Sequence, residues 1–231
     1  MDSVSAEEII KQMRTRASAK NREGMARFGI DTKTALGVSV TYLREMASKR
    51  KLHPNHRLAL ALWKSNIHEA RILASIVDNP AEVDEEQMEE WVRGFNSWDV
   101  CDQCCGNLFD KTPFAWSKVE EWSAREEEFV KRAGFAMMAT LASHDKKAGD
   151  EKFAALLPII ESAARDERNF VKKAVNWALR GIGKRNMALN IRAVACARRI
   201  AKNNPDSAAA RWIAADAIRE LTDEKVLARL K

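Results

Sequence analysis

Phe129-Val130-Lys131-Arg132-Ala133 returns 41 residues later as Phe170-Val171-Lys172-Lys173-Ala174, and this echo decides the fold. A third copy reads Ala210-Arg211-Trp212-Ile213-Ala214, and an earlier one Ala70-Arg71-Ile72-Leu73-Ala74. A period near 40 with helical spacing marks helix pairs that cannot hide their apolar stripes alone and must stack on their neighbours. The expectation is an all-α, HEAT-like repeat solenoid, an α-α superhelix whose second helices line a concave basic face. Working outward, His53-Pro54-Asn55, Asp78-Asn79-Pro80, Lys111-Thr112-Pro113, Lys147-Ala148-Gly149-Asp150 and Asn203-Asn204-Pro205-Asp206 punctuate the chain. They leave segments of roughly 10–18 residues, the length of ordinary helices. Asp84-Glu85-Glu86 and Asp206-Ser207 open two of these with acceptor side chains and early negative charge. Only nine Gly, five Pro and one Tyr occur and alternating β-branched runs are missing, so about a dozen helices and no sheet are predicted. No low-complexity linker interrupts residues 1–231, which read as a single repeat domain.

The net charge of +6 is unevenly spread. Residues 1–79 carry +6, residues 80–128 carry −10, residues 129–164 carry +1 and residues 165–231 carry +9. Two basic flanks around an acidic middle suit a polyanion held at both ends, although ordinary solvated helix surface has the same look. No apolar run approaches the ~18 residues of a membrane span, and the start, acidic and amphipathic, lacks the features of a signal peptide. A cytoplasmic, nucleoid-associated monomer is expected, with no membrane partner. Cys101, Cys104 and Cys105 share one segment and Cys196 stands apart. They read as reduced, buried or half-buried thiols; no zinc-like spacing is present, and neither a metal nor a cofactor is expected.

Three segments carry candidate chemistry. Along Phe170–Arg185, at about 100° per residue, Phe170, Val171, Ala174, Val175, Ala178, Leu179 and Ile182 fill one half of the helix. Lys173, Arg180 and Lys184 fall on a flank with Trp177 at its edge. Cations for phosphates beside a π face for bases make a nucleic-acid surface; a boundary core tryptophan beside solvated lysines fits equally. In Ser97-Trp98-Asp99-Val100-Cys101-Asp102, Trp98 and Asp102 are four apart and share a helix face, while Asp99 points elsewhere. This pair reads either as a structural hydrogen bond to the next repeat or as a negative charge held where a cation forms. Arg132 takes the place of Lys173 in the repeat and is expected to face the same groove, unless it is bound to the Glu126–Glu128 cluster.

Taken with Ala35-Leu36-Gly37-Val38, the stretch from Leu60-Ala61-Leu62-Trp63 to His68-Glu69-Ala70-Arg71, and Val175-Asn176-Trp177-Ala178-Leu179-Arg180, these segments resemble the DNA alkylation repair family of AlkD-type glycosylases. The resemblance runs along nearly the whole chain. It implies that Asp102 is the catalytic carboxylate, that Trp98 and Trp177 flank the lesion-bearing nucleotide, and that Arg132 contacts the DNA backbone. It also implies that Phe28 lines the cleft, as a Phe where some members carry Tyr. Lys173, Arg180 and Lys184 complete the expected DNA-binding set. The implied activity is excision of N3- or N7-alkylated purines from duplex DNA, without flipping the base into a pocket. Two alternatives stand beside it: a catalytically silent DNA-structure binder of the same fold, and a protein-interaction scaffold.

Overall fold

A computed structural model describes residues 4–230, which fall into two compact helical units divided in sequence between Phe114 and Ala115. No strand occurs among the described residues. The first unit holds α1 (Ala6–Arg14), α2 (Ala19–Arg27), α3 (Val40–Lys49), α4 (His56–Lys64), α5 (His68–Val77), α6 (Glu85–Arg93) and α7 (Trp98–Asn107), followed by a 3-10 turn at Phe109–Lys111. The second holds α8 (Ala115–Ser123), α9 (Glu128–His144), α10 (Asp150–Ala163), α11 (Asn169–Gly183), α12 (Met187–Asn203), α13 (Ala208–Leu221) and α14 (Glu224–Leu227).

The caps read from sequence form. Asp84 accepts the Gln87 amide at 2.8 Å and Ser207 the Ala210 amide at 3.1 Å, starting α6 and α13, and Asn55, read from sequence only as part of a turn, likewise accepts the Leu58 amide at 3.0 Å to start α4. Each satisfies a backbone N–H that the first helical turn leaves without a partner.

In the first unit α5 lies at the centre, packed by α3, α4 and α7. Trp63 of α4 and Trp91 of α6 stack at 4.2 Å between ring centroids, 4° from parallel, and Phe95 and Phe109 extend the cluster. A side chain such as Phe109, fully withdrawn from water, contributes about 1.5–3 kcal/mol by transfer alone. The cluster therefore fixes the turn that leads into α7. By contrast, α2 (sequence AKNREGMAR) has no buried residue. It is held at its N-terminal end: Ser18 donates its amide to Leu36 at 2.8 Å, and Asn21 Nδ2 reaches the Gly37 carbonyl at 2.9 Å.

In the second unit α9, α11 and α13 pack side by side, and α8, α10 and α12 pack against them. Small residues permit the close approach. A Cβ on Gly134 of α9 would lie 2.4 Å from the Ser123 amide nitrogen, and one on Gly181 of α11 would lie 3.4 Å from Ala139 Cα. The repeat is also written in hydrogen bonds between successive copies, such as Arg132 to the Phe170 carbonyl, Asn176 to Asp216 and Asn186 to Asp150. The apolar arc expected for α11 is buried from Val171 to Ile182, with Phe170 half-buried. Asn176, outside that arc, is buried as well because α13 covers its side of the helix.

Candidate functional site

The start of α7 is built by the His68-Glu69-Ala70-Arg71 stretch at the start of α5, each polar member of which binds a different segment. Arg71 Nη1 donates to the Gly94 carbonyl at 3.0 Å while its guanidinium lies 4.7 Å from the Trp63 ring centroid, which ties the turn before α7 to the aromatic cluster. Glu69, 1% exposed, accepts the amides of Leu36, Gly37 and Val38 at 2.8, 2.7 and 3.1 Å. That loop needs glycine: Gly37 has φ +80°, and a Cβ there would sit 2.2 Å from the Ser18 carbonyl oxygen. His68 Nε2 lies 2.8 Å from Asp99 Oδ2. Asp99 also accepts the Ser97 hydroxyl at 2.6 Å and the Val100 amide at 3.0 Å. Burial works against the Asp99 charge, but the His68, Ser97 and Val100 hydrogen bonds outweigh it and hold the carboxyl below its ordinary range. Asp99 does point away from the face that Trp98 shares with Asp102, and its orientation anchors the helix.

This anchor places Trp98 at the first position of α7, half-buried. Its indole Nε1 donates to the Phe28 carbonyl at 3.1 Å, and Asn96 Nδ2 donates to Asp31 at 3.0 Å, so the turn after α2 docks on the turn before α7. Phe28 itself is 74% exposed. Asp102, also half-buried, lies one helical turn beyond Trp98 on the same face of α7. The first unit thus brings Phe28 and Trp98 into contact and sets a carboxylate next in line. Lys20, Arg22 and Arg27 on the exposed α2 have no carboxylate within 4.0 Å among the described residues.

The second unit sorts the five remaining residues differently from the sequence expectation. Lys173 is exposed, and no carboxylate among the described residues lies within 4.0 Å of it. Trp177 is half-buried, flanked along α11 by Lys173 and Arg180. Arg132 was expected to face outward with Lys173, yet it is only 5% exposed, and its Nη1 donates to the Phe170 carbonyl at 2.5 Å. The long side chain reaches the first turn of the next repeat, where that carbonyl accepts it. Arg180 is paired with Glu220 and lies 3.6 Å from Asp216, while Lys184 Nζ lies 2.6 Å from Glu220. Partial burial disfavours the charge of Glu220, but Lys184 and Arg180 prevail and hold its carboxyl below the usual range. Two of the three cations beside Trp177 are therefore internally neutralised.

Sequence reasoning missed those acids, although a signal existed: Asp216 and Glu220 stand 40 residues after Asn176 and Arg180, one repeat on. It also missed the His68–Asp99 and Glu69–loop contacts. Among the described residues, no three His, Cys, Asp or Glu side chains converge as metal ligands, and no helix is long and apolar enough to cross a membrane. All four cysteines are buried thiols. Burial pushes the Cys104 and Cys105 thiols up, and Cys196 to about 12, which makes them poor nucleophiles.

Residues 9–221 match the sequence model of a family described as "DNA alkylation repair enzyme". The uncharacterized protein Lin0241 of Listeria innocua serovar 6a is 23% identical over 173 residues, covering 74% of this chain and 75% of that one. A solved structure superposes with a TM-score of 0.75 at 18% identity, over 84% of this chain and 83% of the other. It is described as belonging to "a new family of proteins related to the HEAT-like repeat DNA glycosylases with affinity for branched DNA structures", and it shows that the present fold is HEAT-like.

Proposed function

The chain belongs to the DNA alkylation repair enzyme family, and on that premise we propose that it is a DNA glycosylase excising N3- or N7-alkylated purines from duplex DNA. The observation that carries this reading is the α7 face. Trp98 is pinned through its indole N–H to the Phe28 carbonyl, and Asp102 lies one turn further on, both half-buried.

The chemistry asks for little else. A purine alkylated at N3 or N7 already carries positive charge, so the glycosidic bond breaks without protonation of the leaving base. What requires stabilisation is the oxocarbenium-like sugar left behind. A carboxylate fixed near C1′ supplies opposite charge where charge develops, and orients the attacking water. Asp102 takes that role. Trp98 and the exposed Phe28 ring offer π faces to the cationic nucleotide, each such contact contributing about 0.5–2 kcal/mol. Neutral bases gain none of this, which gives selectivity for charged lesions without a pocket that reads the base edge. In the first unit the cations of α2 offer phosphate contacts, and in the second Lys173 and the Trp177 face of α11 offer phosphate and base contacts of their own.

The test is release of free purine from methylated duplex DNA, followed by chromatography. The wild-type protein is expected to release alkylpurine. Asp102→Asn is expected to lower the rate by roughly 10²–10³, the scale of losing one transition-state electrostatic contact, while DNA affinity stays within a few-fold. A wild-type protein that releases no alkylpurine refutes the assignment. A second reading, a DNA-structure binder without excision, is favoured by the similarity to a protein with affinity for branched DNA. It predicts tighter binding to a junction than to a duplex, and no effect of Asp102→Asn on any product.

A further inference from the structure

Arg180 and Lys184 of the second unit are answered by acids, whereas one guanidinium of the first unit is held in place by neutral groups. Arg44 of α3 donates from Nη2 to Gln103 Oε1 at 3.0 Å and to Asn107 Oδ1 at 2.9 Å, both on α7. Asn107 is itself fixed, donating to Ser75 Oγ at 3.0 Å and to Gln103 Oε1 at 3.1 Å. The guanidinium is thus oriented by neutral amides that leave its charge unanswered, unlike Arg180 on its carboxylates. Arg44 lines an open groove of about 540 Å³, with Lys51 and His53 on its walls and Ala47, Ser48 and Ile76 completing it.

Lys51 occupies a position that glycine ordinarily takes. The end of α3 forms a paired closure in which the Lys51 amide donates to the Ser48 carbonyl at 3.1 Å and the Leu52 amide donates to the Ala47 carbonyl at 2.9 Å. The residue at that point must be left-handed, and Lys51 has φ +51°. A lysine held there at a conformational disadvantage, lining the same groove as Arg44, points to a ligand that compensates for the strain. Within α3 itself (VTYLREMASK) the acid is Glu45, which is engaged with Lys49 at 3.4 Å. The negative end of the α3 dipole is equivalent to about half a charge. It is outweighed by the full charges of Arg44 and Lys51, and the two carbonyls of the closure are already occupied.

We infer that the groove of Arg44, Lys51 and His53 is a phosphate-binding site which, resting on the proposed function, receives a backbone phosphate of the bound DNA. Gln103, which orients Arg44, directly follows Asp102 on α7. A phosphate anchored by Arg44 is therefore held in fixed register with the carboxylate through one rigid helix. The phosphate oxygens are chemically the same in a duplex, in a nucleotide and in pyrophosphate, so both sources enter the test.

Wild type, Arg44→Gln and Lys51→Gly are titrated with an undamaged duplex from 50 to 200 mM salt, and their melting is followed with and without pyrophosphate. Each variant is expected to weaken duplex binding about three- to ten-fold and to flatten the slope of log affinity against log salt by about 0.9, the signature of one lost phosphate contact. Lys51→Gly removes the strain, so it should melt no lower than wild type, which separates lost binding from lost folding. Wild-type affinity and slope in both variants overturn the inference. Protection by millimolar pyrophosphate that depends on Arg44, with duplex binding unaffected by either variant, assigns the groove to a free phosphate ligand and overturns its role on DNA. If the wild type ignores duplex altogether the proposed function fails; Arg44-dependent protection by pyrophosphate then still supports the phosphate site, and its absence removes that too.

Discussion

Replacing Glu220 with Gln should make the protein bind DNA more tightly. The carboxylate holds Lys184 at 2.6 Å and is paired with Arg180, which stays near Asp216 at 3.6 Å when Glu220 is neutral. The substitution therefore releases Lys184 fully and Arg180 in part, adding one to two cations beside Trp177. Each cation that engages a phosphate steepens the slope of log affinity against log salt by about 0.9. Over the fourfold span from 50 to 200 mM salt, affinity should then drop by a further factor of about 3.5–12 relative to wild type, starting from a tighter value at low salt. The loss of stability should be small, about 0.2–1 kcal/mol per pair, because Glu220 and its partners are a quarter or more exposed. The folded-state pKa of Glu220 is depressed. Its stabilising share is present above the unfolded value of about 4.3 and is lost as pH falls through the folded one, so variant and wild type should converge in stability in acid. Fluorescence anisotropy with a labelled duplex across the salt series measures both affinity and slope. Unchanged affinity and slope would mean that Arg180 and Lys184 do not meet phosphate. Weaker binding with a flatter slope would mean that Glu220 orients them toward DNA, and either result refutes the masking argument.

Further substitutions probe the scaffold around the α7 face. Asp99→Asn removes a charge that His68, Ser97 and Val100 hold in place, and should lower stability by about 1.5–3 kcal/mol at neutral pH. Because the Asp99 pKa is depressed, that difference should shrink as pH drops below about 3.9 in urea titrations; a difference that stays constant down to pH 2 rules this out. Glu69→Ala leaves three amides of the 36–38 loop without their acceptor, so hydrogen exchange at Leu36–Val38 should accelerate by at least ten-fold, and unchanged protection there contradicts the assigned bonds. Gly134→Ala drives a methyl group into the Ser123 backbone, and a loss of about 1–3 kcal/mol or more is expected from the midpoint of chemical unfolding. Phe28→Ala, at a ring 74% exposed, should leave the melting temperature within a degree or two while slowing base release from methylated DNA; a large fall in melting temperature would assign the ring to the core instead.

The helices of α9, α11 and α13 were legible because their apolar positions recur about every 41 residues, and the same arithmetic placed Val171 through Ile182 in the core. It did not place their charges. A helical wheel assigns a side chain to a face of its own helix, whereas Arg132 and Arg180 are settled by a carbonyl and a carboxylate on the next repeat. Applying the period to charged residues as well as to apolar ones would have paired Arg180 with Glu220. The first unit was harder to read for a related reason. Its bonds between successive copies, His68 to Asp99, Glu69 to Gly37 and Asn107 to Ser75, span 31, 32 and 32 residues, against 36 to 43 in the second unit. A search at one fixed spacing therefore finds the later copies and leaves Ala70–Ala74 out of register. The shorter repeat has a physical consequence at the site. Its helices are 9–10 residues long, against as many as 17 in the second unit, and the buried side chains Glu69 and His68 tie the 36–38 loop and the start of α7 to α5. The polar stretch that most resembles a functional motif in the sequence is thus scaffold: it fixes the start of α7, the helix that carries the half-buried Trp98 and Asp102.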